Sequence, residues 1–180
     1  MVTSRRYLDT RADEFDAMPT RGWEGRLRLA ARAIDERLKA DRMQSVVHGD
    51  PKDANFYFAA DGTPQLYDFQ YCGKACPAKD VAYCLCCGSS AWDDADALAR
   101  GYHRDLASAL ASRGDEAPTV DAFLETLELA YADLGRWMSG WGWWGNDLEP
   151  RIRRLLDRLD GGSAIEAEEY GAAVAREFPV

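Results

Sequence analysis

Residues 46–58 read VVHGDPKDANFYF. Two short apolar runs, Val46-Val47 and Phe56-Tyr57-Phe58, flank a polar loop in which Asn55 follows Asp50 by five residues. A polar loop between apolar strands is ordinary. This one carries a carboxylate and an amide at that interval, just behind His48-Gly49, and reads as a loop built to hold something. Downstream, Asp61-Gly62 separates two strand-like runs, 56–60 and 65–69, which is a strong hairpin signal.

A two-residue turn at Asp61-Gly62 pairs 60 with 63 and, counting outward, 55 with 68. If 60/63 is hydrogen-bonded, then 59/64, 57/66 and 55/68 are not. Pro64, which has no N–H, then sits where no ladder donor is needed. The same register sets Asn55 opposite Asp68, with Cβ atoms about 5 Å apart. An amide oxygen and a carboxylate so placed can share one hard cation such as Mg²⁺, with Asp50 facing whatever that ion holds. Singly, Asn55 could cap a turn, Asp68 could end a strand and Asp50 could stabilise its own loop. Their convergence on one hairpin end favours the metal.

The rest of the chain reads mainly as helix. Residues 23–40 place Leu27, Ala30, Ala31, Ile34 and Leu38 on one face, with Arg and Glu opposite. A short buried strand at 45–47 feeds the loop. Helices are expected at 80–88, at about 91–112, at about 119–139, at 148–160 and at 164–177. Ser90 and Asp93 form a capping-box pattern for the second of these. Val120, Phe123, Leu124, Leu127, Leu134 and Trp137 mark the buried stripe of the third, and Gly161-Gly162 stops the fourth. The fold class is α+β, mainly helical, with one small β-hairpin.

The chain has 180 residues, of which 47% are hydrophobic and 29% charged, enough for one domain with its own core. A net charge of −9 disfavours nucleic acid, which needs Lys/Arg clusters, and leans toward cationic ligands or metal ions. No apolar run approaches membrane-spanning length, and no secretory h-region follows Met1, so a cytoplasmic protein without membrane contact is expected. All five cysteines (Cys72, Cys76, Cys84, Cys86 and Cys87) crowd one short stretch. That is a poor disulfide framework and lacks paired zinc knuckles, so reduced, metal-free thiols are expected.

His48-Gly49-Asp50 with Asn55, followed by Tyr67-Asp68-Phe69-Gln70, resembles the catalytic and metal-binding loops of the aminoglycoside phosphotransferase/choline kinase superfamily. The protein-kinase pairing of H-R-D-L-x-x-x-N with D-F-G has the same Asp-to-Asn interval. Gln70 after Asp68-Phe69, Lys52 two residues past Asp50, and Asp80-Val81-Ala82-Tyr83 look most like the ecdysteroid-kinase-like (CHK kinase-like) group. Trp141-Gly142-x-Trp144-Gly145 also suits that group's C-terminal lobe, and the resemblance covers residues 23–178.

The resemblance implies a kinase-like C-terminal lobe with a catalytic loop at 48–55, a metal loop at 67–70 and a helical subdomain at 80–178. It implies transfer of the ATP γ-phosphoryl to the hydroxyl of a small-molecule alcohol. Asp50 would take the hydroxyl proton and Lys52 would touch the phosphoryl. Asn55 and Asp68 would hold Mg²⁺ and, through it, ATP. His48 and Asp80 would brace the loop. Trp137, Trp141 and Trp144 would border a cationic or steroid-like substrate, although aromatic clusters also serve as plain core. Residues 1–22 show no strand pair or Gly-rich turn and are expected to be flexible, and the nucleotide-covering N-terminal lobe is expected to be missing from this chain. A catalytically silent binding module is the alternative reading.

Overall fold

A computed structural model describes residues 7–88 and 92–180. The element order is α1 (Ala12–Ala17), α2 (Gly22–Ala40), β1 (Ser45–Val47), β2 (Phe56–Phe58), β3 (Pro64–Leu66), β4 (Gly73–Ala75), α3 (Ala78–Cys87), α4 (Ala95–Ala111), α5 (Val120–Trp141), α6 (Glu149–Asp160) and α7 (Ala167–Glu177). The architecture is α+β and mainly helical, with two small antiparallel strand pairs, β1–β4 and β2–β3. No helix among the described residues is long and apolar enough to cross a membrane.

α5 is the axis around which the other helices pack. Its residues 129–136 are all buried, because α1, α2, α3, α4 and α6 surround it. A helix walled in on every side needs apolar or paired residues around its whole circumference. Phe123, Leu127 and Leu134 of the expected stripe are buried, while Val120, Leu124 and Trp137 lie at its half-exposed margin. Thr119 caps the helix through its side chain, accepting from Ala122 N. On α2, Leu27, Ala30, Ala31, Ile34 and Leu38 are all sealed into the core, as their spacing requires. Gly161, with φ of +68°, closes α6.

Several expectations are corrected. The hairpin closes through three loop residues rather than two. Ala59 N donates to Thr63 O at 3.0 Å, and Gly62 takes φ +82°. The extra left-handed residue is the bulge that a three-residue hairpin loop uses. It shifts the register by one, so Phe56 pairs with Leu66 and Phe58 with Pro64. Asn55 therefore faces Tyr67, whose N–H donates to Asn55 O at 3.2 Å, and not Asp68. The 45–47 strand is not a buried one, since Val46 is 75% exposed; β4 pairs with it at its edge. α4 begins at Ala95, and the expected Ser90 cap lies outside the described residues.

Part of the stretch expected to be flexible is packed. Tyr7, Leu8 and Met18 are buried, and α1 lies against α5. Leu8 N–H donates to the buried Asp35 carboxylate at 3.1 Å. Tyr7 forms a small second core with Val47 of β1 and Ala75 of β4. Its ring also takes the Lys79 and Lys39 ammonium groups at 4.3 and 5.0 Å.

Three buried charges meet where α3 packs on α5. Lys79 Nζ meets Asp133 Oδ2 at 2.5 Å, and Arg136 meets Asp133 Oδ1 through Nε at 3.0 Å and Nη2 at 2.9 Å. Burial raises the Asp133 pKa, but Arg136 and Lys79 outweigh it and hold the carboxyl at about 2. Removing the shared anion deprives two buried cations of the carboxylate between them. Asp133→Asn should therefore lose about 3–5 kcal/mol in denaturant unfolding; a loss below about 1 kcal/mol would contradict the buried triad. Because the folded pKa lies below the ordinary 3.8, the carboxylate's contribution is complete above that value and is lost as pH falls toward 2. The acid limb of the stability curve should be shallower in Asp133→Asn.

Candidate active site

The β1–β4 pair delivers the loop. β1 ends at Val47, and the next three residues, His48, Gly49 and Asp50, are buried. Asp80, in the first turn of α3, accepts His48 N–H at 2.6 Å and Gly49 N–H at 3.1 Å. One carboxylate thus satisfies two consecutive backbone donors that would otherwise be costly to bury. Gly49 stands at φ +88°, and a Cβ there would collide with the Tyr71 carbonyl. Glycine is required twice over, by the backbone angle and by the close approach.

His48 ties the loop to the strand opposite. Its Nδ1 accepts Asp50 N–H at 3.2 Å, so its Nε2 carries the proton and donates to Tyr67 O at 2.8 Å. Phe69 packs against the ring at 4.7 Å between centroids. The imidazole is committed on both edges and one face.

Asp50 is 6% exposed, and its two oxygens differ. Oδ2 accepts Asn55 Nδ2 at 3.0 Å and pairs with Lys52 Nζ at 2.9 Å. Among the described residues, nothing donates to Oδ1. The carboxylate is anchored through one oxygen and has the other to offer. Asn55 Nδ2 also donates to Asp50 O at 2.8 Å, which leaves the Asn55 Oδ1 as an acceptor. The hydrogen bond from Lys52 to Asp50 raises the lysine pKa against a smaller opposing effect of burial, and the Asp50 and Asp68 charges add to it. Lys52 is therefore a cation paired with Asp50 and favoured further by the charge of Asp68.

Asp68 is exposed and has φ 63° and ψ 60°, the one non-glycine residue with positive φ among those described. That left-handed conformation costs an aspartate on the order of 1–3 kcal/mol and tends to occur where the surroundings have a use for it. Its carboxylate accepts Gln70 Nε2 at 3.1 Å. No cluster of three or more His, Cys, Asp or Glu is present among the described residues. One carboxylate plus one amide oxygen would not cage an ion alone. It does fit Mg²⁺, which keeps waters and takes one or two carboxylates together with substrate phosphates.

The tryptophans are placed differently. Trp137 packs on Trp144 at 4.9 Å and on Trp141 at 6.3 Å. The Arg11 guanidinium already covers the Trp137 ring at 5.1 Å, taking the face a ligand cation would use. Trp144 lines a cavity of about 420 Å³ with Trp23, Glu24 and Trp143, whereas Trp137 and Trp141 do not. Asp50 does not line that cavity either. Tyr7 and the Lys79–Asp133–Arg136 triad, which support the loop from behind, escaped the sequence reading. The signal available was a pair of charges, Asp133 and Arg136, inside an otherwise apolar helical stripe. None of the five cysteines is in a disulfide among the described residues; burial pushes Cys76 up to about 12 and raises Cys84.

A family model described as the phosphotransferase enzyme family (APH) matches residues 3–141, and the chain belongs to that family. The match begins in the N-terminal segment, ahead of the helix where the motif resemblance starts. No curated protein and no solved structure matches the chain.

If Asp80 sets the loop, Asp80→Ala should leave two backbone donors without their acceptor, at about 1–3 kcal/mol each. Amide exchange at His48 and Gly49 should accelerate by about tenfold or more, while Leu129 in the centre of α5 keeps its protection. Unchanged exchange at Gly49 would refute the bracing role.

Proposed function

We propose that this member of the phosphotransferase enzyme family transfers the γ-phosphoryl of ATP to the hydroxyl of a small-molecule alcohol. The observation that carries the reading is Asp50, with Oδ2 anchored by Asn55 and Lys52 and Oδ1 open, and with Asp68 near enough for its charge to act on Lys52. The family normally uses ATP and Mg²⁺. Gln70 and Lys52 support placing the chain near the CHK kinase-like group. The five free thiols fit a reducing, cytoplasmic setting.

Magnesium, when bound, supplies positive charge to the phosphate oxygens. Asn55 and Asp68 are the residues that would hold it. Asp50 accepts the substrate hydroxyl proton at Oδ1 as the alcohol oxygen bonds to phosphorus and the bond from phosphorus to the leaving oxygen of ADP breaks. Lys52 stays protonated beside Asp50 and presents its charge to the moving phosphoryl group. Such a transfer depends on placement and charge neutralisation more than on covalent help from the protein.

Both sheets among the described residues are two-stranded. Tyr57, Phe58, Tyr67 and Phe69 are each more than half exposed beside the loop. An aromatic face of this kind is what a nucleotide base or a covering lobe would bury. The reading therefore pairs this chain with a nucleotide-covering lobe of the sort found in the superfamily.

The test uses the chain fused behind such a lobe from a family member, with ADP release measured over a panel of small alcohols. Asp50→Asn should abolish turnover and leave Mg²⁺·ATP affinity within about threefold, because the base acts on the acceptor. Asp68→Asn should weaken both by about tenfold or more. A fused protein that binds no Mg²⁺·ATP would defeat the kinase reading in favour of a silent binding module. Full turnover in Asp50→Asn would defeat the assignment of the base.

A further inference from the structure

A second cavity, roomier than the one beside Trp144, lies away from Asp50. It holds about 680 Å³ and is walled by the end of α2, the turn into α3, the outer part of α4, the start of α5 and residues 178–180. Ligand pockets usually fall at about 300–1,000 Å³, with mainly apolar walls and a few polar groups. Here Phe123, Ala78 and Phe178 are buried apolar walls, and Leu106 and Leu110 close one side. None of Asp50, Lys52, Asn55 or Asp68 lines it.

The charges around this cavity are unequal. Arg37 and Asp41 neutralise one another at 2.9 Å, and Asp41 is further engaged by Met43 N–H at 2.9 Å. Glu125 pairs with Arg158 at 3.2 Å. Three exposed lining side chains have no ion-pair partner among the described residues: one cation, Arg42, against two carboxylates, Asp115 and Glu116. The chain's net charge of −9 acts in the same direction.

We propose that this cavity is a second ligand site, taking a small amphiphile with an apolar body and a cationic head. The body fills the space between α4 and α5, and the head faces Asp115 and Glu116. The site bears on the catalytic loop. Its wall includes Pro77, whose carbonyl accepts Asp80 N–H at 3.0 Å, and Asp80 holds His48 and Gly49. A ligand packed on Pro77 steadies the first turn of α3 and, through it, the loop.

Calorimetric titration of the chain with decyltrimethylammonium, below its micelle concentration, should show saturable one-to-one binding. Decanoate, with the same chain and an anionic head, should bind more weakly. Ala122 lines the cavity while remaining exposed, so Ala122→Trp blocks the space without touching the core. That variant should lose at least about tenfold in affinity with its melting temperature maintained. Asp115→Asn with Glu116→Gln should weaken the cation by about three- to tenfold and leave decanoate unweakened. Saturation with the cation should also slow amide exchange at Gly49. Many-site binding, or one-to-one binding indifferent to Ala122→Trp, would overturn the site. Decanoate binding as tightly as the cation would overturn the head-group assignment, and unchanged exchange at Gly49 would overturn the link to the loop.

Discussion

Two adjacent N–H groups, those of His48 and Gly49, donate to one carboxylate, Asp80, and the position of the loop that carries Asp50 depends on that arrangement. The loop leaves β1 with no regular partner of its own. Without Asp80 its backbone donors would be buried and unsatisfied. With it, the loop is locked to α3, and α3 is locked to the bundle by Lys79, the preceding residue, on Asp133 of α5. The path from core to carboxylate is short: α5, Asp133, Lys79, Asp80, loop. Tyr7 adds support on the other side by filling the gap between Val47, Ala75 and the two lysines.

The division of labour within the loop follows from this support. His48 is spent on structure, since both ring nitrogens are engaged, leaving Asp50 as the group with an unused acceptor. Asp68 is the opposite case. It is exposed, holds a strained left-handed conformation and accepts a hydrogen bond from the Gln70 side chain. A buried, anchored carboxylate suits a task that needs fixed geometry. An exposed carboxylate on a strained turn suits capture of an ion that arrives with its own phosphates and water.

Helices with a clear apolar period were legible in the sequence. Leu27, Ala30, Ile34 and Leu38 repeat at helical spacing and are buried as that spacing demands. The loop motif was legible too, because His48, Gly49, Asp50 and Asn55 are close together along the chain. The hairpin's existence could be read from Asp61-Gly62, but its register could not. Whether Gly62 sits inside a two-residue turn or follows as a left-handed bulge depends on backbone geometry that both options share in sequence. β4 is three residues long and carries no alternation to reveal it. Long-range encounters were also hidden. Arg11 over Trp137 joins residues from opposite ends of the family match, and no local pattern announces that the ring is already covered.

The proposed function requires the nucleotide's metal to sit between Asn55 and Asp68, within reach of Asp50. Paramagnetic broadening by Mn²⁺·ADP, recorded by NMR on the chain itself, tests this directly and tolerates weak binding. Broadening should be strongest at the Asn55 side-chain amide and the Phe69 backbone, and absent at Ala122 and Trp144. Broadening centred on the acidic mouth at Asp115 and Glu116, or spread evenly over the surface, would contradict it.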